Sequence, residues 1–98
     1  MYTPEEIGRI FKLGRAIKHP LRQRIIELIS QNQRINVTEI YVRLRLEQSV
    51  ASNHLTILRE SNVVKAEREG KFIYYSINEE TKKLIDQIIV EIEELETI

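Results

Sequence analysis

The side chains with most to offer chemically lie close together in this 98-residue chain: Gln48, Ser49, Ser52, Asn53 and His54. Their amides, hydroxyls and imidazole donate and accept hydrogen bonds without a fixed charge, which suits them to matching donors and acceptors on a partner. They are poorly placed for reaction chemistry. The chain shows no nucleophile set beside a base, no phosphate-cradling glycine loop and no paired catalytic carboxylates, so it is not expected to be an enzyme. The absence of cysteine removes disulfides, thiolate zinc sites, iron-sulfur clusters and thiol catalysis together. His19 and His54 are the two histidines, far apart in sequence and without the close pairing of a helical zinc motif. No high-affinity transition-metal site within one chain, and no cofactor, is therefore expected.

A second group is cationic: Lys65, Arg68 and Lys71 follow the polar cluster within about two dozen residues. The formal net charge of zero hides an uneven distribution. Residues 1–78 carry 13 Lys and Arg against 8 Asp and Glu, and residues 79–98 carry 2 against 7. A basic body with an acidic tail fits a polyanionic partner, although a solvated acidic helix at the end would give the same arithmetic.

These residues need elements to hold them. Thr3-Pro4-Glu5-Glu6 offers a capping hydroxyl, a proline for the first helical position and a returning carboxylate, so a first helix starts there. Ile7, Ile10, Phe11, Gly14 and Ile17 repeat at steps of three and four up to Lys18. Pro20 disfavours helix at His19 and can open a second helix, whose apolar face is Leu21, Ile25, Leu28 and Ile29, with Arg22, Gln23, Arg24 and Glu27 mostly outside it. Asn36, with Glu39 three residues on, caps a short third helix ending near Arg45. After Leu46-Glu47 comes the helix that carries the polar cluster, over 48–61. Val50, Ala51, Leu55, Ile57 and Leu58 form its buried side, and short uncharged residues fill the rest where Glu and Lys would favour helix more. From Val63 the period changes to two, and Gly70-Lys71 turns a β-hairpin over 64–77. Asn78 then caps a last helix with Ile85, Ile88, Ile92 and Leu95 in its stripe, widened by Leu84 and Ile89. One domain over 1–98 is expected, mainly α with a small β-hairpin, with no membrane span, no secretion signal in Met1-Tyr2-Thr3-Pro4, and a cytoplasmic location.

Four helices, a basic hairpin and a fifth helix follow the order of a winged helix-turn-helix. The segment His19-Pro20-Leu21-Arg22-Gln23-Arg24-Ile25-Ile26-Glu27-Leu28-Ile29 resembles the second-helix signature of ArsR-type bacterial regulators. Gln48 to Glu60 is similar to their recognition helix, and Arg68 to Ile77 to their wing. The resemblance covers nearly the whole chain and implies a homodimeric DNA-binding transcriptional repressor. A helix about 10 to 12 Å across fits the major groove, where short polar side chains reach base edges. Gln48, Ser49, Ser52, Asn53 and His54 are the expected groove residues, with Lys65, Arg68 and Lys71 reaching phosphates or the adjacent minor groove. Blander roles stay open: capping or solvation for Ser49 and Ser52, a partly buried backbone-bonded imidazole for His54, and solubility for the hairpin cations.

The apolar stripes of helices 4–18 and 79–96 exceed what a small winged core buries. Ile7, Ile10, Phe11, Ile17, Ile85, Ile88, Ile92 and Leu95 are expected to pair across a two-fold axis, setting two recognition helices about 34 Å apart on an inverted repeat. Many ArsR-like proteins sense metals through cysteines on the third helix or histidine and carboxylate pairs on the last. Here the third helix has Val37, Thr38 and Tyr41, no histidine follows His54, and Glu91, Glu93, Glu94 and Glu96 read as a solvated face, so a non-metal-binding member is expected. Two positions depart from the family pattern: Arg45 replaces the usual turn glycine and Glu47 the usual small cap. They support an alternative, a winged protein-interaction module that has lost DNA recognition.

Overall fold

The computed structural model describes residues 2–96, apart from the side chains of Ile88, Ile89, Glu91, Ile92, Glu93, Leu95 and Glu96. In chain order its elements are α1 (Pro4–Lys18), α2 (Pro20–Asn32), β1 (Ile35–Asn36), α3 (Val37–Arg43), α4 (Gln48–Glu60), β2 (Val64–Glu69), β3 (Phe72–Ile77) and α5 (Glu79–Glu96). This is the expected mainly helical winged helix-turn-helix with one addition. Ile35 and Asn36 pair antiparallel with Tyr75 and Tyr74, making the hairpin a three-stranded sheet of order β1-β3-β2. Two residues are too few to show a period, so β1 exists only through its partner strand.

The helix starts follow from capping. Thr3 Oγ1 accepts from the Glu6 N–H at 3.1 Å while the Glu6 carboxylate accepts from Thr3, and Asn36 Oδ1 accepts from the Glu39 N–H at 2.8 Å. Asn78 Oδ1 accepts from Glu80 and Thr81 and opens α5. His19 serves two helices: it ends α1 and its Nδ1 accepts the Leu21 N–H at 3.1 Å to begin α2.

The C-terminal ends of α3 and α4 have the same geometry. After α3, the Leu46 N–H donates to the Tyr41 carbonyl and the Arg45 N–H to Val42, with Arg45 at φ 54°. After α4, the Val63 N–H donates to Leu58 and the Asn62 N–H to Arg59, with Asn62 at φ 62°. Both are Schellman closures, which need one residue in the left-handed region. Asparagine takes that conformation readily; Arg45 takes it at a cost of about 1 kcal/mol. Arg45 thus adopts the geometry a glycine would have, and the turn into α4 closes in the ordinary way.

The core joins every layer. Leu13 from α1, Ile25 and Ile29 from α2, Ile35, Ile40 from α3, Leu55 and Leu58 from α4, and Val63, Val64 and Tyr75 of the sheet are all buried in one cluster. Ala51, Leu55 and Leu58 lie along one side of α4 and fix its rotation, so its opposite side faces out.

Candidate nucleic-acid interface

Rotation of α4 decides which polar residues are available. With Ala51, Leu55 and Leu58 in the core, Ser49, Ser52, Asn53 and Thr56 are exposed on the other side, and Gln48, in line with Ala51 and Leu55, is exposed because it stands at the start of the helix. The Thr56 hydroxyl is turned back to the Ser52 carbonyl at 2.9 Å. Val50 is half-buried, and Ile57, placed by sequence on the buried side, is 38% exposed at the edge. The result is a strip of amide and hydroxyl groups about one and a half turns long.

Its N-terminal end carries a further property. Glu47 occupies the cap position in extended geometry and makes no side-chain cap hydrogen bond, as a glutamate there is expected to do. The first-turn N–H groups of α4 therefore remain open to an acceptor, at the positive end of the helix dipole.

His54 stands apart from the other four expected groove residues. It lies 100° round the helix from Asn53, on the flank facing the α1–α2 corner, and is half-buried. Its Nδ1 is 3.3 Å from a terminal nitrogen of Arg22, and its ring centroid is 4.7 Å from that of His19. Burial first, then the neighbouring His19 and Arg22, hold its pKa below the ordinary imidazole value. The backbone-bonded role left open for His54 is thus replaced by a side-chain partner. Arg22, expected mostly outside the apolar face of its helix, is half-buried: its Nε donates to the Ala16 carbonyl at 2.6 Å and another terminal nitrogen to Arg15 at 3.2 Å. Sequence distance also misled about the histidines, whose rings the fold brings together at a tilt of 51°. Among the described residues no group of three or more His, Asp or Glu side chains could hold a metal ion.

The hairpin sorts its cations by face. Its register pairs Val64 with Ile77, Ala66 with Tyr75 and Arg68 with Ile73, so Arg68 extends the core-facing side of the sheet beyond α4. Lys65 pairs with Ser76 on the opposite side, which it shares with Glu67 and Glu69. Lys71 stands in the two-residue turn, where the positive φ falls on Gly70, as a type II′ turn requires of its first residue. Glu69 is held by Arg34 at 2.8 Å, and the Arg34 guanidinium lies 3.8 Å over the Tyr74 ring, bracing the wing against the α2–β1 loop. Among the described residues no ion pair engages Lys65, Arg68 or Lys71.

The expected pairing surface is uncovered only in part. Phe11 is 68% and Ile7 43% exposed and Ile10 is half-buried, whereas Ile17 and Ile85, expected in the pairing surface, are half-buried because they pack against the chain's own core. The side chains of Ile88, Ile92 and Leu95 lie outside the described residues. Val90, which the sequence stripe omitted, is 51% exposed.

Comparison with known proteins agrees with this geometry. Residues 19–66 match the family model for bacterial regulatory proteins of the arsR family. The transcriptional repressor PagR of Bacillus anthracis is 40% identical over 67 residues, covering 68% of this chain and 67% of its own. The transcriptional repressor SdpR of Bacillus subtilis is 33% identical over 72 residues, covering 74% and 76%. Among solved structures, the homodimeric winged helix-turn-helix DNA-binding domain of a possible ArsR-family regulator from Mycobacterium bovis superposes with a TM-score of 0.76. It is 27% identical, covering 90% of this chain and 82% of that one.

Proposed function

The chain belongs to the ArsR family of bacterial transcriptional regulators, a DNA-binding winged helix-turn-helix protein, and on that premise we propose that it acts as a homodimeric repressor of an inverted-repeat operator. The observation that carries the proposal is the exposed, uncharged strip of Gln48, Ser49, Ser52 and Asn53 on an uncapped α4. Amides and hydroxyls of this length read base edges in a major groove, and the open first-turn N–H groups receive a phosphate. Arg68 and Lys71 carry the wing to the neighbouring backbone, while Lys65, on the reverse face, adds field rather than contact. Repression is supported by what PagR and SdpR are named for and by the simplest effect of a dimer seated on a promoter. Action on DNA implies the cytoplasm; among the described residues no helix is long and apolar enough to cross a membrane.

Selection of bound duplexes from a random pool, followed by gel shift over a range of salt, tests the proposal. One enriched inverted repeat is expected, with log affinity falling by about 0.9 per log salt for each phosphate neutralised. Ser52→Ala with Asn53→Ala should abolish preference for that repeat and leave self-association intact. Enrichment of no sequence, with a salt slope near zero, would instead favour a protein-interaction module.

A further inference from the structure

His19, Arg22 and His54 meet where the α1–α2 corner touches the flank of α4, and the bonding fixes what each can do. The Leu21 N–H can only donate, so His19 Nδ1, 3.1 Å away, must accept, and the proton of that neutral ring sits on Nε2. Arg22 likewise can only donate, so His54 Nδ1 accepts at 3.3 Å and its Nε2 also carries the proton. Two imidazoles with centroids 4.7 Å apart therefore each present an N–H donor beside a guanidinium. Arg22 spends its donors on two carbonyls and an imidazole, none of them anionic, and no carboxylate pairs with it among the described residues. Its charge is left for something outside the chain. The cluster lies on a flank of the helix whose exposed side carries Ser52 and Asn53, and the walls of a major groove flanking such a helix are phosphodiesters.

We propose that His19, Arg22 and His54 form a phosphodiester clamp beside the recognition helix, two neutral Nε2–H donors backed by one guanidinium charge, gripping a single DNA backbone phosphate in each half-site. This rests on the reading of α4 as a groove-binding helix and adds to it a contact made by the start of α2. The clamp ties the insertion of α4 to the α1–α2 corner, so that corner sets how deeply the helix sits.

Three substitutions at two positions separate the contact from the fold. His19→Asn keeps a cap acceptor for the Leu21 N–H and removes the Nε2–H; His54→Gln keeps both an acceptor for Arg22 and a donor, whereas His54→Leu keeps neither. The probe is the duplex that the wild-type protein itself enriches from a random pool. His19→Asn and His54→Leu should each weaken binding about tenfold, with His54→Gln close to wild type and the melting temperature of His19→Asn unchanged. One methylphosphonate replacement per half-site should cost the wild type a similar factor and cost His19→Asn nothing further. In imidazole nitrogen spectra both rings should show the Nε2–H tautomer, and both signals should shift on adding the duplex. The proposal is overturned if His19→Asn binds as tightly as wild type, if its penalty persists at every methylphosphonate position, or if inorganic phosphate shifts the two signals and the duplex does not. If the wild type enriches no duplex, the DNA-binding reading falls as well, so the two failures are distinct.

Discussion

Two single side chains beside α4, Arg45 and His54, each make a stability contribution that can be measured on its own. Arg45 sits at φ 54° in a closure that any left-handed residue would complete with the same two backbone hydrogen bonds. Arg45→Gly should therefore raise stability by about 0.5 to 1 kcal/mol, visible as an increase of several degrees in melting temperature. An unchanged or lower midpoint would mean that the exposed side chain does more than the turn requires. His54 makes a pH-dependent contribution. Its folded-state pKa lies below the ordinary value because burial, His19 and Arg22 all disfavour the imidazolium. The unfolded chain then binds the proton more readily than the native one, so stability is full above about pH 6.5 and falls as pH drops through that value toward the lower folded pKa. Denaturant titrations between pH 7.5 and 5 should show the decline, and His54→Gln should flatten it. The sequence could not show either effect fully. The spacing of Arg45 marked its turn, but the partners of His54 lie 32 and 35 positions away in the chain.

At the scale of elements, what was legible is what neighbours in sequence decide. Thr3, Asn36 and Asn78 mark helix starts because a cap bonds an N–H two or three residues on, and the change of period at Val63 marks the sheet because alternation is local. What was hidden depends on packing. Ile35 and Asn36 are a strand because Tyr75 and Tyr74 lie beside them, Arg22 turns inward because the carbonyls at the end of α1 await it, and Lys65 parts from Arg68 because register assigns them opposite faces. The cap of α4 is a case where local logic was sound, since Glu47 makes no cap bond. Glu47→Ser should supply one, stabilising the protein by about 1 kcal/mol, and should also remove a carboxylate from beside an expected phosphate. Chemical denaturation and DNA titration read the two effects separately. If the serine raises stability but leaves affinity unchanged, the end of α4 does not meet the backbone.

For the whole molecule the question is what covers the outer faces of α1 and α5. A compact chain of about 100 residues has a radius of gyration near 13 Å. This one has 14.6 Å, and its principal extents are 49 by 23 by 21 Å. Ile7, Phe11 and Val90 stand in solvent on these two helices. Self-association through these helices would bury them, and the same two-fold axis would repeat α4 at the spacing of successive major-groove faces. Phe11→Glu, at the most exposed of these positions, tests the link between the surface and the reading head. A charge at the centre of an apolar seam should shift sedimentation from dimer to monomer at micromolar concentration, while the fold persists because Phe11 contributes nothing to the buried core. Affinity for the selected repeat should then fall by at least about a hundredfold, since the second half-site loses the high effective concentration that linkage provides, while affinity for an isolated half-site stays as it was. A Phe11→Glu protein that remains dimeric would place the seam elsewhere. One that is monomeric yet binds the full repeat undiminished would show that pairing does not serve recognition.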